Sequence, residues 1–311
     1  MTTPPYLKPG DTIAIVSPAK SISAQAISNA KQIIEGFGFK VKIGKHAASI
    51  YHQFAGTDQQ RTEDFQQMLD DDEVKMILCS RGGYGSVRII DKLDFGHFIK
   101  YPKWIVGFSD ITVFHSHLYS NFKIESIHAK MPLNFPENGI GDKSIDKLFS
   151  AVSGERINYE IPAHPLNRTE IVDAQIVGGN LSILCSLLGS WSDIDTDGKI
   201  LFIEEVAENL YRLDRMMRTL KRAGKLDKLA GLVVGGLTSM EDNDVKFGKS
   251  AEEIIAGAVS EYDYPVCFNF PAGHQKENYP IIIGRETILE VSTEKTIVKT
   301  HGRASHYTQQ E

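Results

Sequence analysis

The chain is poor in the features that most quickly narrow a function. Its three cysteines, Cys79, Cys185 and Cys267, are odd in number and far apart among 311 residues. They suit buried thiols of a reducing compartment better than a disulfide framework. Basic excess is missing: Lys+Arg 34 against Asp+Glu 40 leaves a formal net charge of -6. An acidic surface repels phosphate backbones, and no local basic stripe offsets it, so nucleic acid is not an expected partner. Apolar runs are short as well. Ile13–Val16 and Leu232–Val234 fall far below the ~20 residues of a membrane-spanning helix. The opening stretch Met1–Gly10 lacks the basic-then-apolar pattern of a secretory signal. A cytoplasmic protein without a membrane partner is the expectation. No two histidines or cysteines have zinc-site spacing, so neither metal nor cofactor is expected.

What is present is ordinary globular composition, 41% hydrophobic and 24% charged, in a chain long enough to bury its own core. The first half alternates between strand and helix periods. Thr12–Ser17, Lys40–Ile43, Val74–Ser80 and Trp104–Phe108 read as strands. Helices are expected over Ser23–Gly36, Gln59–Leu69 (with Asp58 as its cap), Ser86–Leu93 and Ile111–Phe122. Such alternation predicts an α/β domain with a parallel sheet covered on both faces. Around Ser153–Asn167 the pattern breaks at Gly154, Pro162 and Pro165. A linker over about 154–167 therefore divides a domain of residues 1–153 from one of 168–311. The second half predicts strands near Ala174–Val177, Ile200–Glu204, Gly231–Gly235 and Pro265–Phe268. Its helices fall near Asn180–Leu188, Leu213–Ala223 and Ala251–Val259, before a hairpin of Thr287–Val291 and Thr296–Thr300.

Four segments can carry chemistry. In Trp104-Ile-Val-Gly-Phe-Ser-Asp-Ile-Thr112 a strand runs straight into a helix through Ser109. Ser109 reads either as a helix cap or as a nucleophile held out at the carboxyl edge of the sheet. The pattern G-x-S-x-G is half met, because position 111 is Ile. Ser80-Arg-Gly-Gly-Tyr-Gly-Ser86 follows the clearest strand. Its glycines suit an anion-binding loop or a tight turn, but the lysine of a phosphate loop is absent. Cys79, inside that strand, reads as an inert core thiol.

Glu204 and Glu205 end the strand of residues 200–204 and point to opposite faces, so one is directed inward. An ion pair to Arg212 or Arg215 is the plain alternative to a role in a site. Phe270-Pro-Ala-Gly-His-Gln-Lys-Glu-Asn-Tyr-Pro280 holds His274 in a loop after a strand. Of the ten histidines it is the best placed for chemistry. His115 and His117 read as packing or solvent-facing, and His128 as a strand end near the cleft. His46, His52, His97, His164, His301 and His306 lack supporting context. Ser109, Glu204 and His274 follow the order Ser, Glu, His that also occurs in α/β hydrolases, though geometry, not order, makes a triad.

Taken together these segments resemble the LD-carboxypeptidases, or muramoyltetrapeptide carboxypeptidases, a serine peptidase family that also holds self-immunity peptidases acting on microcin C-type antibiotics. The likeness runs through Leu7–Pro18, Ala55–Arg61, Ser80–Gly85, Gly107–Thr112, Gly178–Leu181, Leu201–Glu205, Tyr211–Arg215 and Gly273-His274. It implies a flavodoxin- or amidotransferase-like first domain, a β-barrel-like second α/β domain and a site between them. It further implies Ser109 as nucleophile, Glu204 as the residue orienting the histidine, and His274 as general base. The oxyanion donors implied are the N–H groups of Asp110 and Gly83. Arg81 is the expected receptor for the substrate carboxylate. The implied activity is hydrolysis of the LD bond before a C-terminal D-alanine in murein tetrapeptides, by a homodimer. An antibiotic-directed peptidase and a non-catalytic muropeptide-binding protein are the alternatives. The chain departs from the family at His128-Ala-Lys-Met131, where many relatives have His-Gly-Pro-Met, and at Gly189-Ser-Trp191.

Overall fold

The computed structural model describes residues 1–137 and 141–301. The first half yields β1 (Thr12–Val16), α1 (Ala24–Gly36), β2 (Lys40–Ile43), α2 (Asp58–Asp70), β3 (Val74–Cys79) and α3 (Gly96–Lys100). It continues with β4 (Trp104–Gly107), α4 (Thr112–Phe122), β5 (Ser126–His128) and α5 (Lys143–Val152). The second half yields β6 (Asn158–Pro162), β7 (Glu170–Asn180), α6 (Leu181–Leu187), β8 (Ile200–Val206) and α7 (Leu210–Arg222). After them come β9 (Gly231–Thr238), α8 (Ala251–Ala258), β10 (Val266–Cys267), β11 (Ile281–Ile283), β12 (Glu286–Val291) and β13 (Lys295–Thr300).

The first sheet has the order β11-β5-β4-β3-β1-β2. Strands β2, β1, β3, β4 and β5 run parallel, and β11 joins antiparallel to β5. Successive residues of β1 go to opposite faces. Ile13 and Ile15 pack with Ile33 and Ile34 of α1 and Leu148 of α5. Ala14 and Val16 pack with Phe65 and Met68 of α2 and Phe114 of α4. Both faces are thus covered, which is why these strands are continuously apolar.

The second sheet has the order β10-β9-β8-β7-β12-β13-β6. Its β7–β10 half is parallel and its β7-β12-β13-β6 half antiparallel. One face buries Leu201, Ile203 and Val234 against Leu213 and Met217 of α7 and Ile255 of α8. The other contributes Phe202 and Ile176 to the core shared with the first sheet. An isolated bridge from Arg168 to Val266 ties the approach to β7 onto β10, curling the sheet toward a barrel.

Several expectations change. Residues 154–167, read as a linker, contain β6, which pairs with β13 through the register Tyr159–Val298. β11 crosses from the second half into the first sheet. A buried ion pair fixes that crossing: Arg285 Nε donates to Glu125 Oε1 at 2.7 Å, and Nη1 to Tyr6 Oη at 3.1 Å. Arg285→Ala leaves the buried Glu125 carboxylate unpaired and is expected to cost about 3–5 kcal/mol, read as a lower midpoint in urea denaturation.

Asp58 is not the cap of α2. Thr57 Oγ1 accepts the Gln60 N–H while Gln60 Oε1 accepts the Thr57 N–H, a reciprocal capping box. That leaves Asp58 free to pair with Arg61 and Arg88. The helix expected over Ser86–Leu93 is instead two 3₁₀ turns, Ser86–Arg88 and Ile90–Lys92. The buried positions Ser86, Ile89 and Ile90 keep helical spacing, which is why the segment reads as a helix in the sequence.

Candidate functional site

The carboxyl ends of β1, β3 and β4 meet at one edge of the first sheet, the usual location of a site in an open α/β fold. β4 stops at Gly107, and Ser109 takes φ 64°, a left-handed conformation that non-glycine residues rarely adopt. A 3₁₀ turn, Ser109–Ile111, leads into α4. No side-chain cap is made at that turn or at the start of α4, so Ser109 is not spent as a cap. Ile111 fills the space over Gly107, where a Cβ would lie 2.8 Å from Ile111 Cγ1. A small residue before the serine lets a bulky one follow it, which explains the half-met motif.

Ser109, Glu204 and His274 come together although 165 and 70 residues separate His274 from the other two. His274 Nε2 lies 3.1 Å from Ser109 Oγ, and Nδ1 lies 2.7 Å from Glu204 Oε2. The same carboxylate oxygen accepts the His274 backbone N–H at 3.1 Å, and Thr238 Oγ1 donates to the His274 carbonyl at 2.6 Å. Glu204 is fully buried and His274 partly exposed, so the pair opens to solvent only at the imidazole. Burial lowers the His274 pKa. The Glu204 hydrogen bond and charge, with the charge of Glu205, outweigh it and hold the imidazole above its ordinary value.

Glu205 points the other way. It accepts from Asn180 Nδ2 at 3.0 Å and from the Ser182 N–H at 2.8 Å, securing the start of α6. Burial pushes its carboxyl up, against these hydrogen bonds. Neither Arg212 nor Arg215 is its partner: Arg212 pairs with Glu208, and Arg215 lies over the Tyr211 ring. Asn180 also docks the second sheet on the elbow, its N–H donating to Thr112 Oγ1 at 3.0 Å. Gly179 permits that approach, because a Cβ there would lie 2.5 Å from the same hydroxyl.

The glycine loop lies against the serine. A Cβ on Gly82 would sit 3.1 Å from both Ser109 Oγ and the Asp110 nitrogen. The space beside the hydroxyl and this N–H is therefore open only because residue 82 is glycine. Gly83 turns its Cα toward Lys20, whose Cδ would be 2.7 Å from a Cβ there. Asp110 ties elbow to loop by accepting the Ser86 N–H at 2.8 Å. Buried Arg61 holds the loop from behind, through the carbonyls of Pro18 and Gly85. Gly82→Ala is expected to fill the space beside Ser109, lowering kcat by about 10²–10³ while thermal unfolding stays near wild type. Steady-state kinetics and a melting curve on one preparation check both halves.

A cleft of about 440 Å³ opens beside His274, lined by Phe108, Lys130, Asn134, Gln275, Lys276 and Asn278. Arg81 does not line it. Its Nη1 donates to the Ser21 carbonyl at 2.9 Å. The cleft's cations are Lys130, paired with Asp142, and exposed Lys276. Burial pushes the Cys79 thiol far up, which makes it a core residue and not a nucleophile. His115 is buried with Nε2 2.8 Å from the Gly107 carbonyl, and burial lowers it to about 4. His117 packs against Ser192 Oγ at 3.0 Å. His128 is fully buried behind Phe108 and does not line the cleft. His306 lies outside the described residues. Sequence reading missed Gly82 as the glycine facing the serine, as well as the cleft lysines and Asn278. The glycine pair alone was visible.

The chain is similar to known proteins over nearly its whole length. The profile of the LD-carboxypeptidase N-terminal domain matches residues 13–129, and that of the C-terminal domain residues 173–289. A Bacillus subtilis protein described as a probable murein peptide carboxypeptidase is 33% identical over 305 residues, covering 95% of this chain and 93% of its own. The murein tetrapeptide carboxypeptidase of Pseudomonas aeruginosa is 28% identical, with coverages of 89% and 92%. The crystal structure of muramoyltetrapeptide carboxypeptidase from Oxalobacter formigenes superposes with a TM-score of 0.86 at 25% identity, covering 94% of this chain and 99% of that one. With both domain profiles matched in order across one continuous fold, the chain belongs to the LD-carboxypeptidase family of peptidases.

Proposed function

We propose that the protein is a serine carboxypeptidase that hydrolyses the LD-peptide bond before a C-terminal D-alanine in murein tetrapeptides, in cell-wall recycling. The observation that carries this reading is the chain of contacts from Glu204 Oε2 through the His274 imidazole to Ser109 Oγ, at 2.7 and 3.1 Å. Neutral His274 takes the Ser109 proton on Nε2 as Oγ bonds to the scissile carbonyl carbon. The oxyanion forms beside the Asp110 N–H and the N–H of Gly83, which follows the open Gly82 position. The C–N bond then breaks, and His274 returns the proton to the leaving amine of D-alanine. Water, deprotonated by the same imidazole, cleaves the ester and restores the serine. Glu204 holds Nδ1–H and stabilises the imidazolium between these transfers.

The released residue carries a carboxylate, and the cleft wall supports a cationic receptor for it. Lys276 is exposed there and has no ion-pair partner among the described residues. We assign it ahead of Arg81, whose guanidinium is engaged with Ser21. Purified protein given a muramoyl tetrapeptide is expected to release D-alanine, measured by chromatography of the products. Preferred turnover of an aminoacyl-sulfamoyl adenosine over the tetrapeptide would move the substrate to the antibiotic class. No turnover of either would leave a binding protein.

A further inference from the structure

We propose that Asn278 is a positioning residue that fixes the loop bearing His274 by bracing it against the buried His128. The inference rests on His274 acting as the base. That loop turns sharply around the Glu204 carboxylate, and its opening residue, Gly273, has its N–H aimed inward. Asn278 Oδ1 accepts that N–H at 2.8 Å, across five residues. The Asn278 backbone N–H donates to buried Ser144 Oγ of α5 at 3.0 Å, so the strut is rooted in the first half of the chain. Asn278 is 1% exposed. With Oδ1 held by Gly273, the amide nitrogen is directed into the interior, where the polar neighbour is the His128 ring.

His128 is suited to receive it. Its ring is wholly buried between Phe108 and Phe202. Neither ring nitrogen has a hydrogen-bond partner among the described residues, and the same holds for Asn278 Nδ2. An Asn278 amide N–H aimed at the unprotonated ring nitrogen satisfies two of these three atoms. Burial disfavours a charge on His128, as do His115 and His274 nearby, and together they outweigh the opposite effect of the Asn278 side chain, so the ring is neutral and keeps one acceptor nitrogen. The line His128, Asn278, Gly273, His274 thus runs from β5 to the imidazole. It complements the contacts of Glu204 and Thr238 with the His274 backbone.

Two variants test it. Asn278→Leu keeps the volume and removes both hydrogen bonds. It is expected to lower kcat roughly 10²-fold through misplacement of the base, with KM changed little, and to raise hydrogen exchange at the Gly273 amide. Asn278→Asp keeps the acceptor for Gly273, so exchange there stays slow. Its added charge joins Glu204 and Glu205 around His274 and moves the acid limb of the kcat profile to higher pH. Unchanged exchange at Gly273 in the leucine variant, or wild-type kcat and pH profile in both, would overturn the proposal. So would a loss of activity in the leucine variant that follows only its unfolded fraction. Full activity of Ser109→Ala in the same assay would refute the peptidase mechanism, while the exchange measurement still decides the role of Asn278.

Discussion

Ser109→Ala is expected to lower kcat for D-alanine release by about 10⁶-fold, the size seen when the nucleophile of such a triad is removed. The variant deletes one oxygen and little else. Its backbone keeps φ 64°, because alanine suffers the same left-handed strain as serine. Among the described residues the one hydrogen bond of Ser109 Oγ is that to His274 Nε2 at 3.1 Å. Stability should therefore change by less than about 1 kcal/mol, one hydrogen bond at a half-exposed site. His274→Ala should cost a similar factor, and the double variant should be no worse than either, since the two act as one unit. Product release and thermal melting measured on all three variants check the expectation.

Glu204→Gln is expected to lower kcat by roughly 10⁴-fold, the cost of presenting the wrong histidine tautomer in comparable triads. The carboxylate accepts two N–H groups from His274 on a single oxygen. An amide that turns its NH₂ toward Nδ1 would leave the proton on Nε2, where it cannot receive another from serine. The pH dependence has a definite sign. The imidazole must be neutral to act as base, and in the wild type its pKa lies above the ordinary value because Glu204 outweighs burial. Activity should then rise with pH through a midpoint above about 6.5, the unperturbed histidine value. In Glu204→Gln the burial effect remains and its main opponent is gone, so the midpoint of the residual activity should fall. A profile of kcat/KM against pH for both proteins reads this shift directly.

The parts of this site legible in the sequence are those whose signal is local. Ser109 stands between a strand and a helix, Glu204 at the end of an apolar strand, and His274 in a loop bounded by glycine and proline. Each position advertised itself within about ten residues. The resemblance to the family then joined them, and the geometry brings the same three side chains into hydrogen-bond contact. The hidden parts depend on partners far along the chain. Whether Gly82 or Gly83 faces the serine depends on how the loop is pulled by Arg61 and Asp110. Arg81 turns one guanidinium nitrogen to the Ser21 carbonyl, sixty residues away in the chain, which no local pattern shows. β6 was hidden because its five residues include Pro162, which reads as a breaker until β13 pairs with it. β11 was hidden because a three-residue strand carries no periodicity, and it exists only through antiparallel pairing with β5.

The central claim is that Ser109 is the nucleophile and that His274 activates it. A fluorophosphonate probe with mass mapping of the modified peptide tests it most directly. The account predicts one adduct, on Ser109, forming in wild type at a rate that climbs with pH as the imidazole loses its proton, and nearly absent in His274→Ala. Modification of a different residue, or equal labelling of Ser109 with and without the imidazole, would contradict it.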